Sequence, residues 1–166
     1  MIINVLELIK NKVSNEELSF TLDLSNFHDG NEAIEITKTI SFTGVIKNSE
    51  EDLILKGHVE GEVILTCSRC LDKFNYKLDL DIEEIISTNP EDKDENIIFI
   101  DNNKLNIDDI IVNNIIMSLP VKRLCRENCK GLCQLCGTNL NYSNCNCKDE
   151  DTDPRLAKLK DFFSDN

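Results

Sequence analysis

The sequence predicts an α+β protein, a curved antiparallel sheet or partial barrel covered by a helix, with a cysteine-rich C-terminal segment and a short terminal helix. Three observations predict it. Apolar and polar residues alternate over long stretches of roughly the first hundred residues. A single run between 107 and 119 carries apolar residues at helical spacing. The stretch 121–147 holds six of the eight cysteines and no apolar run.

The strands come first. Ile34, Ile36, Ile40, Phe42 and Ile46 alternate with polar neighbours, as do Leu53, Leu55, Val59, Val63 and Leu65, and then Phe74, Tyr76, Leu78, Leu80 and Ile82. Period two over such lengths indicates half-buried antiparallel strands. The polar tract 47–52 reads as a hairpin loop and 71–73 as a tighter connection. Gly44, Gly57 and Gly61 fall inside these runs, where glycine marks a bulge, a bend or a close backbone approach. A polar loop at 87–96 precedes a short strand at 97–100.

The helix follows. Ile107, Ile110, Ile111, Ile115 and Leu119 share one face, Asn106 or Asp108 is available as N-cap, and Pro120 ends the run. From 121 to 147 there is neither periodicity nor an apolar core, so this stretch needs a metal to order it. Asp153 and Pro154 restart a helix as N-cap and first helical residue. Its stripe of Leu156, Leu159, Phe162 and Phe163 docks on this protein or awaits a partner. The expected organisation is a strand-rich domain over 1–120 and a cysteine-rich segment over 121–166, packed together as one unit.

A formal charge of −13 keeps such a chain soluble and repels nucleic acid over most of its surface. The first dozen residues lack the charged leader, apolar core and cleavage site of a signal peptide. Apolar runs such as 97–100 fall far short of a membrane span. Cytoplasm is therefore the expected compartment, and thiols stay reduced there. Eight cysteines then read as ligands, not as four disulfides.

The cysteines form two groups, Cys67 and Cys70 in TCSRCL, then Cys125, Cys129, Cys133, Cys136, Cys145 and Cys147. A C-x2-C pair lets two thiolates meet one metal from a tight turn, and Gly137 after Cys136 suits the left-handed position of such a knuckle. Zinc takes four tetrahedral ligands of this soft type, and a closed thiolate set marks a structural site. Such binding contributes on the order of 10–16 kcal/mol in small zinc modules, ample to fold a loop without a core. One or two zinc ions are expected. Short loops favour Cys133, Cys136, Cys145 and Cys147 as one site, leaving Cys67, Cys70, Cys125 and Cys129 as the other. The rivals are both knuckles on one zinc, or a single zinc with spare thiols. Cys129, Cys133 and Cys136 also spell the C-x3-C-x2-C spacing of radical iron–sulfur enzymes, but those need a large barrel after the motif. A dithiol redox pair at Cys67 and Cys70 needs a helix N-terminus, whereas this pair interrupts a strand pattern.

The order CSRCL, a helix ending in LP, C-x3-C-KGLC-x2-CG-x-NLN, C-x-C and DPRL-x-x-L resembles the YceD family, whose members are described as large-subunit ribosomal RNA accumulation proteins. The strings KGLCQLCGTNLN and DPRL are the specific part, and the likeness is to the cysteine-rich branch typical of Gram-positive bacteria. The resemblance implies a role in accumulating large-subunit ribosomal RNA, through assembly or processing of that subunit, and no established catalytic activity.

A charge clue stands beside it. Lys122, Arg123, Arg126 and Lys130 face only Glu127 in their stretch, and Arg69 lies inside the first knuckle. These are the candidate RNA contacts, set against the simpler role of screening anionic metal–thiolate centres. His28 and His58 are isolated, and no nucleophile–base set, phosphate loop or catalytic carboxylate pair is present. The expectation is a non-enzymatic factor that binds zinc, with precursor ribosomal RNA or an assembling ribosomal protein as partner, no membrane and no small-molecule substrate. The alternative is a thiol-based redox or metal-sensing protein using the same cysteines.

Overall fold

The computed structural model describes residues 1–10, 14–49, 52–87, 97–99 and 104–147. In chain order the elements are β1 (Ile2–Asn4), α1 (Leu6–Ile9), β2 (Asn15–Thr21), β3 (Asn26–His28), β4 (Ala33–Ser49), β5 (Asp52–Thr66), β6 (Lys73–Ser87), β7 (Ile97–Phe99), β8 (Lys104–Asn106) and α2 (Ile107–Ser118). Chain contacts divide them into two units. One comprises Met1–Thr66 and Lys73–Arg123; the other comprises Cys67–Asp72 and the chain from Leu124 onward.

The first unit is built on an open sheet in the order β2-β4-β5-β6-β7, with β3 also paired to β4. The three long alternating runs are β4, β5 and β6. Their even, odd and even positions respectively are buried, with Ile34, Ile40, Phe42, Ile46, Leu55, Val59, Val63 and Leu65 wholly so. Antiparallel register explains the parity, because Val59 faces Phe42 on one side and Leu80 on the other. Ile107, Ile110, Ile111 and Ile115 of α2 and Leu8 of α1 belong to the same core. On α2, Asn114 Nδ2 donates to Glu84 of β6 at 2.6 Å.

Several details differ from the expectation. The tract 47–52 is mostly strand, since pairing persists to Ser49 opposite Asp52. The edge pair β6–β7 is parallel, Ile85 opposite Ile97. A small antiparallel pair, β1 with β8, places Ile3 opposite Leu105. Gly44 and Gly57 face each other across β4 and β5, and a Cβ on Gly44 would lie 2.6 Å from Phe42 Cζ. They mark close approach of an aromatic ring, and Phe42 in turn meets Phe20 with centroids 5.5 Å apart. The irregular register in β4 falls instead between Ile36 and Ser41. Asn106 is the N-cap residue of α2, but its side chain makes no capping bond and reaches Asp109 instead.

Arg123 ends this unit. Its guanidinium donates to Asp29 and, at 2.6 Å, to Glu32 Oε1, with the Asp29 side chain only 2% exposed. The Glu32 backbone N–H, opposed by burial and aided by Arg123, lowers the Asp29 carboxyl to about 2. The helix expected from Asp153 and the acidic stretch before it lie outside the described residues. Among the described residues, no helix is long and apolar enough to cross a membrane.

Candidate metal centres

The two C-x2-C pairs fold into the same turn. In the first, Cys67 N–H donates to Asp72 O at 2.9 Å and Leu71 N–H to Cys67 O at 3.0 Å. In the second, Cys133 N–H donates to Thr138 O at 2.8 Å and Gly137 N–H to Cys133 O at 2.9 Å. The residue after the second cysteine is left-handed in both, with φ of 61° at Leu71 and 72° at Gly137. The first turn links β5 to β6, whose last pair is Thr66 and Lys73.

A third segment closes onto the first turn. Cys129 N–H bonds Arg126 O at 3.1 Å, and Leu132 N–H bonds Arg69 O at 3.1 Å. Gly131, with φ 77°, makes this possible, because a Cβ there would sit 3.1 Å from Arg69 O. Arg69 answers by donating from its guanidinium to Cys129 O at 2.8 Å. A bridge between Leu132 and Asn139, with Leu140 N–H on Gly131 O at 2.9 Å, ties the second knuckle to this strand-like piece.

The sulfurs fall into two sets, Cys67, Cys70, Cys125 and Cys129, and then Cys133, Cys136, Cys145 and Cys147. Within each set all four lie within 4.8 Å of one another. The Sγ atoms of Cys67 and Cys129 are 3.8 Å apart, and those of Cys70 and Cys125 are 3.6 Å apart. Four thiolates held tetrahedrally at about 2.3 Å from an ion are separated by about 3.8 Å. Each set can therefore hold a metal ion, and the two C-x2-C knuckles belong to different sets.

The environments differ. Cys67, Cys70 and Cys129 are buried, whereas Cys136 and Cys147 are exposed. Burial pushes the Cys67 thiol up, but the backbone N–H groups of Cys125, Cys70 and Arg69 outweigh it and bring the pKa to about 6. Burial raises Cys70. Thr138, through its hydroxyl and its N–H, lowers Cys136 to about 6, and the neighbouring Cys136 raises Cys147 to about 12. Cys67 and Cys129 of the first set and Cys136 of the second thus lean toward the thiolate, while burial holds the proton on Cys70 and the neighbouring Cys136 holds it on Cys147, a situation a divalent cation relieves.

A shell of polar side chains surrounds the first set. Asn141 Nδ2 donates to Cys129 Sγ at 3.3 Å while its Oδ1 accepts Lys130 N–H at 2.8 Å. Asp72 Oδ2 accepts Tyr142 Oη–H at 3.0 Å, Asn139 Nδ2 at 3.0 Å and Cys70 Sγ at 3.4 Å. Sequence reasoning did not assign Asp72, Asn139, Asn141 or Tyr142. Only Asp72 left a positional signal, since it matches Thr138 in the knuckle pattern.

The five candidate cations separate. Lys122 and Arg123 belong to the first unit, and the Arg123 charge is engaged by Asp29 and Glu32. Arg69, Arg126 and Lys130 belong to the second unit and are exposed. His58 lies on the sheet, with Nδ1 2.8 Å from Asp81 and Nε2 3.6 Å from both Glu60 and Asp79, so hydrogen bonding to Asp81 raises its pKa.

The proteins Mb2951c of Mycobacterium bovis and Rv2926c of Mycobacterium tuberculosis are each 24% identical over 123 residues, covering 71% of this chain and 59% of theirs. The protein ML1660 of Mycobacterium leprae is 23% identical over 124 residues, covering 72% of this chain and 57% of its own. The chain thus spans less than two thirds of the length of these relatives. No solved structure gives a significant match. The family model described as "Large ribosomal RNA subunit accumulation protein YceD" matches residues 55–163, a span that takes in both sulfur sets, and the chain belongs to the YceD family.

Proposed function

We propose that this protein is a non-enzymatic, cytoplasmic factor that supports accumulation of large-subunit ribosomal RNA, acting in assembly of the large ribosomal subunit or in processing of its RNA. The match of residues 55–163 to the ribosomal RNA accumulation family carries this reading. Both sulfur sets hold zinc in it. The donor chemistry supports that choice, because four soft thiolates with tetrahedral spacing and no open position suit a closed structural zinc site. The curved sheet with α2 over one face serves as scaffold.

The partner is precursor large-subunit RNA or a ribosomal protein being assembled on it. Lys122, Arg69, Arg126 and Lys130 supply phosphate contacts. Arg123 contributes less, since two carboxylates already compensate it. Gradient sedimentation tests the reading: the protein should travel with large-subunit precursors, and its depletion should lower that RNA. A protein confined to free fractions, with normal RNA levels on depletion, refutes it. Elemental analysis should give two zinc ions per chain and no iron.

A thiol-based redox or metal-sensing role is the competing reading, and the exposed Cys136, with its thiol lowered to about 6, favours it. Thiol titration of the native protein separates the two. Closed zinc sites react slowly until a chelator is added, whereas a redox dithiol reacts at once.

A further inference from the structure

The turn after the second knuckle carries an aromatic side chain that metal binding leaves unused. Tyr142 is 78% exposed, yet its hydroxyl donates to Asp72 Oδ2 at 3.0 Å. Asn139 Nδ2 shares that oxygen at 3.0 Å, and Tyr142 N–H bonds Asn139 O at 3.2 Å. The hydroxyl and the backbone are tethered while the ring stands in solvent. A ring oriented in advance loses little rotamer freedom when something lies on it.

Cations flank it. Lys130 donates its N–H to Asn141 Oδ1 at 2.8 Å, so it sits beside the residue preceding Tyr142. Arg126 is near enough to act electrostatically on both Asp72 and Tyr142. Both side chains are exposed. The sulfurs beneath are shielded, with Cys67, Cys70 and Cys129 buried. On a chain of charge −13 this places two exposed cations beside an exposed aromatic ring, with Asp72 and Glu127 as the neighbouring anions.

We propose that Tyr142, flanked by Arg126 and Lys130, is a stacking platform for an unpaired base of single-stranded RNA, with the two cations on adjacent phosphates. This rests on the ribosomal RNA reading above and names the contact. Unpaired bases are bound by open aromatic faces next to positive charge, whereas an apolar peptide needs a pocket around the ring, which an aromatic this exposed does not have. Duplex RNA hides its base faces and is not a ligand for such a platform.

The test uses the full chain carrying Tyr76→Phe. The protein has two tyrosines and no tryptophan, so Tyr142 then supplies the intrinsic fluorescence. The probes are a fluorescein-labelled, unstructured RNA of about 12 nucleotides and a duplex of equal length. The single strand is expected to quench Tyr142 and the duplex is not. Measured by anisotropy in the wild-type background, Tyr142→Ala should weaken binding by roughly 5- to 150-fold, the range of one base stack. Tyr142→Phe, which loses the tether but keeps the ring, should recover most of it. Metal content shows whether the variants fold. If Tyr142→Ala sheds metal, the pair Arg126→Ala and Lys130→Ala decides, with the salt dependence of binding expected to fall by about two phosphate contacts. Absence of single-strand binding by the wild type, equal binding by a metal-replete Tyr142→Ala, preference for duplex, an unchanged salt slope, or a Tyr142-dependent capture of ribosomal protein without RNA would each overturn the platform. Co-sedimentation with large-subunit precursors alongside any of these results would refute the platform and leave the assembly reading standing. Loss of both would refute both.

Discussion

Leu71 and Gly137 occupy the same point of two turns with one hydrogen-bond pattern, each after the second cysteine of a knuckle and each donating its N–H to the carbonyl of the first. Their φ angles, 61° and 72°, lie in the left-handed region, which costs a residue with a Cβ roughly 1 kcal/mol or more. Gly137→Leu is therefore expected to lower stability by about 1 kcal/mol. A Cβ at 137 meets nothing within 4 Å, so that loss is conformational, not steric. Leu71→Gly should break even or gain, because relief of strain is offset by the freedom glycine adds to the unfolded chain. Denaturant midpoints of metal-loaded protein check both, and an unchanged Gly137→Leu midpoint contradicts the parallel.

The two sulfur sets should release metal at different rates. Three of four sulfurs in the first set are buried, while Cys136 and Cys147 in the second are exposed. Chelation followed with a colorimetric zinc indicator should be biphasic. Cys136→Ser should remove the fast phase and leave the slow one. A single phase, or loss of the slow phase in that variant, contradicts this assignment.

Asn141 offers a way to weaken the first set without touching a ligand. Its amide donates to Cys129 Sγ and accepts Lys130 N–H. Such outer contacts are worth roughly 10–100-fold in metal affinity. Asn141→Leu keeps the branching of the side chain and loses these bonds together with the one to Asn139 Oδ1. Competition with a chelator should show that decrease in the slowly released ion alone, with the fast one unaffected.

Acid should expose the contribution of Asp29. Its pKa is lowered from 3.8 to about 2, so the stabilisation is complete above about pH 4 and disappears as pH falls through the folded value. A shift of that size corresponds to about 2 kcal/mol. Asp29→Asn should flatten the stability curve of the first unit between pH 4 and 2, read from denaturant melts monitored by sheet circular dichroism. Arg123→Ala should flatten it only in part, because the Glu32 N–H, the larger cause, stays in place.

The long strands were legible because a buried face imposes period two on β4, β5 and β6, and the isoleucines of α2 impose helical spacing in the same way. The glycines at 44 and 57 were legible as a bulge, a bend or a close approach, and only the structure selects close approach and names Phe42 as the visitor. Three-residue strands such as β7 carry too few positions to set a direction, so its parallel pairing left no trace. The candidate centres were legible in their sulfurs, since spacing is chemistry there. Their polar surroundings were not. Asn139, Asn141 and Tyr142 sit in a stretch without periodicity, and their importance comes from meeting Asp72 across 67 and 70 positions of chain for Asn139 and Tyr142.

The wide separation of Cys70 from Cys125, 55 positions apart, has a temporal meaning. At about 5–20 residues per second, a ribosome making this chain leaves the first knuckle with half a site for roughly 3–11 s. During that interval two thiols have no partners to close over an ion, so a stalled or truncated nascent chain would present Cys67 and Cys70 as an open, oxidisable pair, whereas the folded chain buries both.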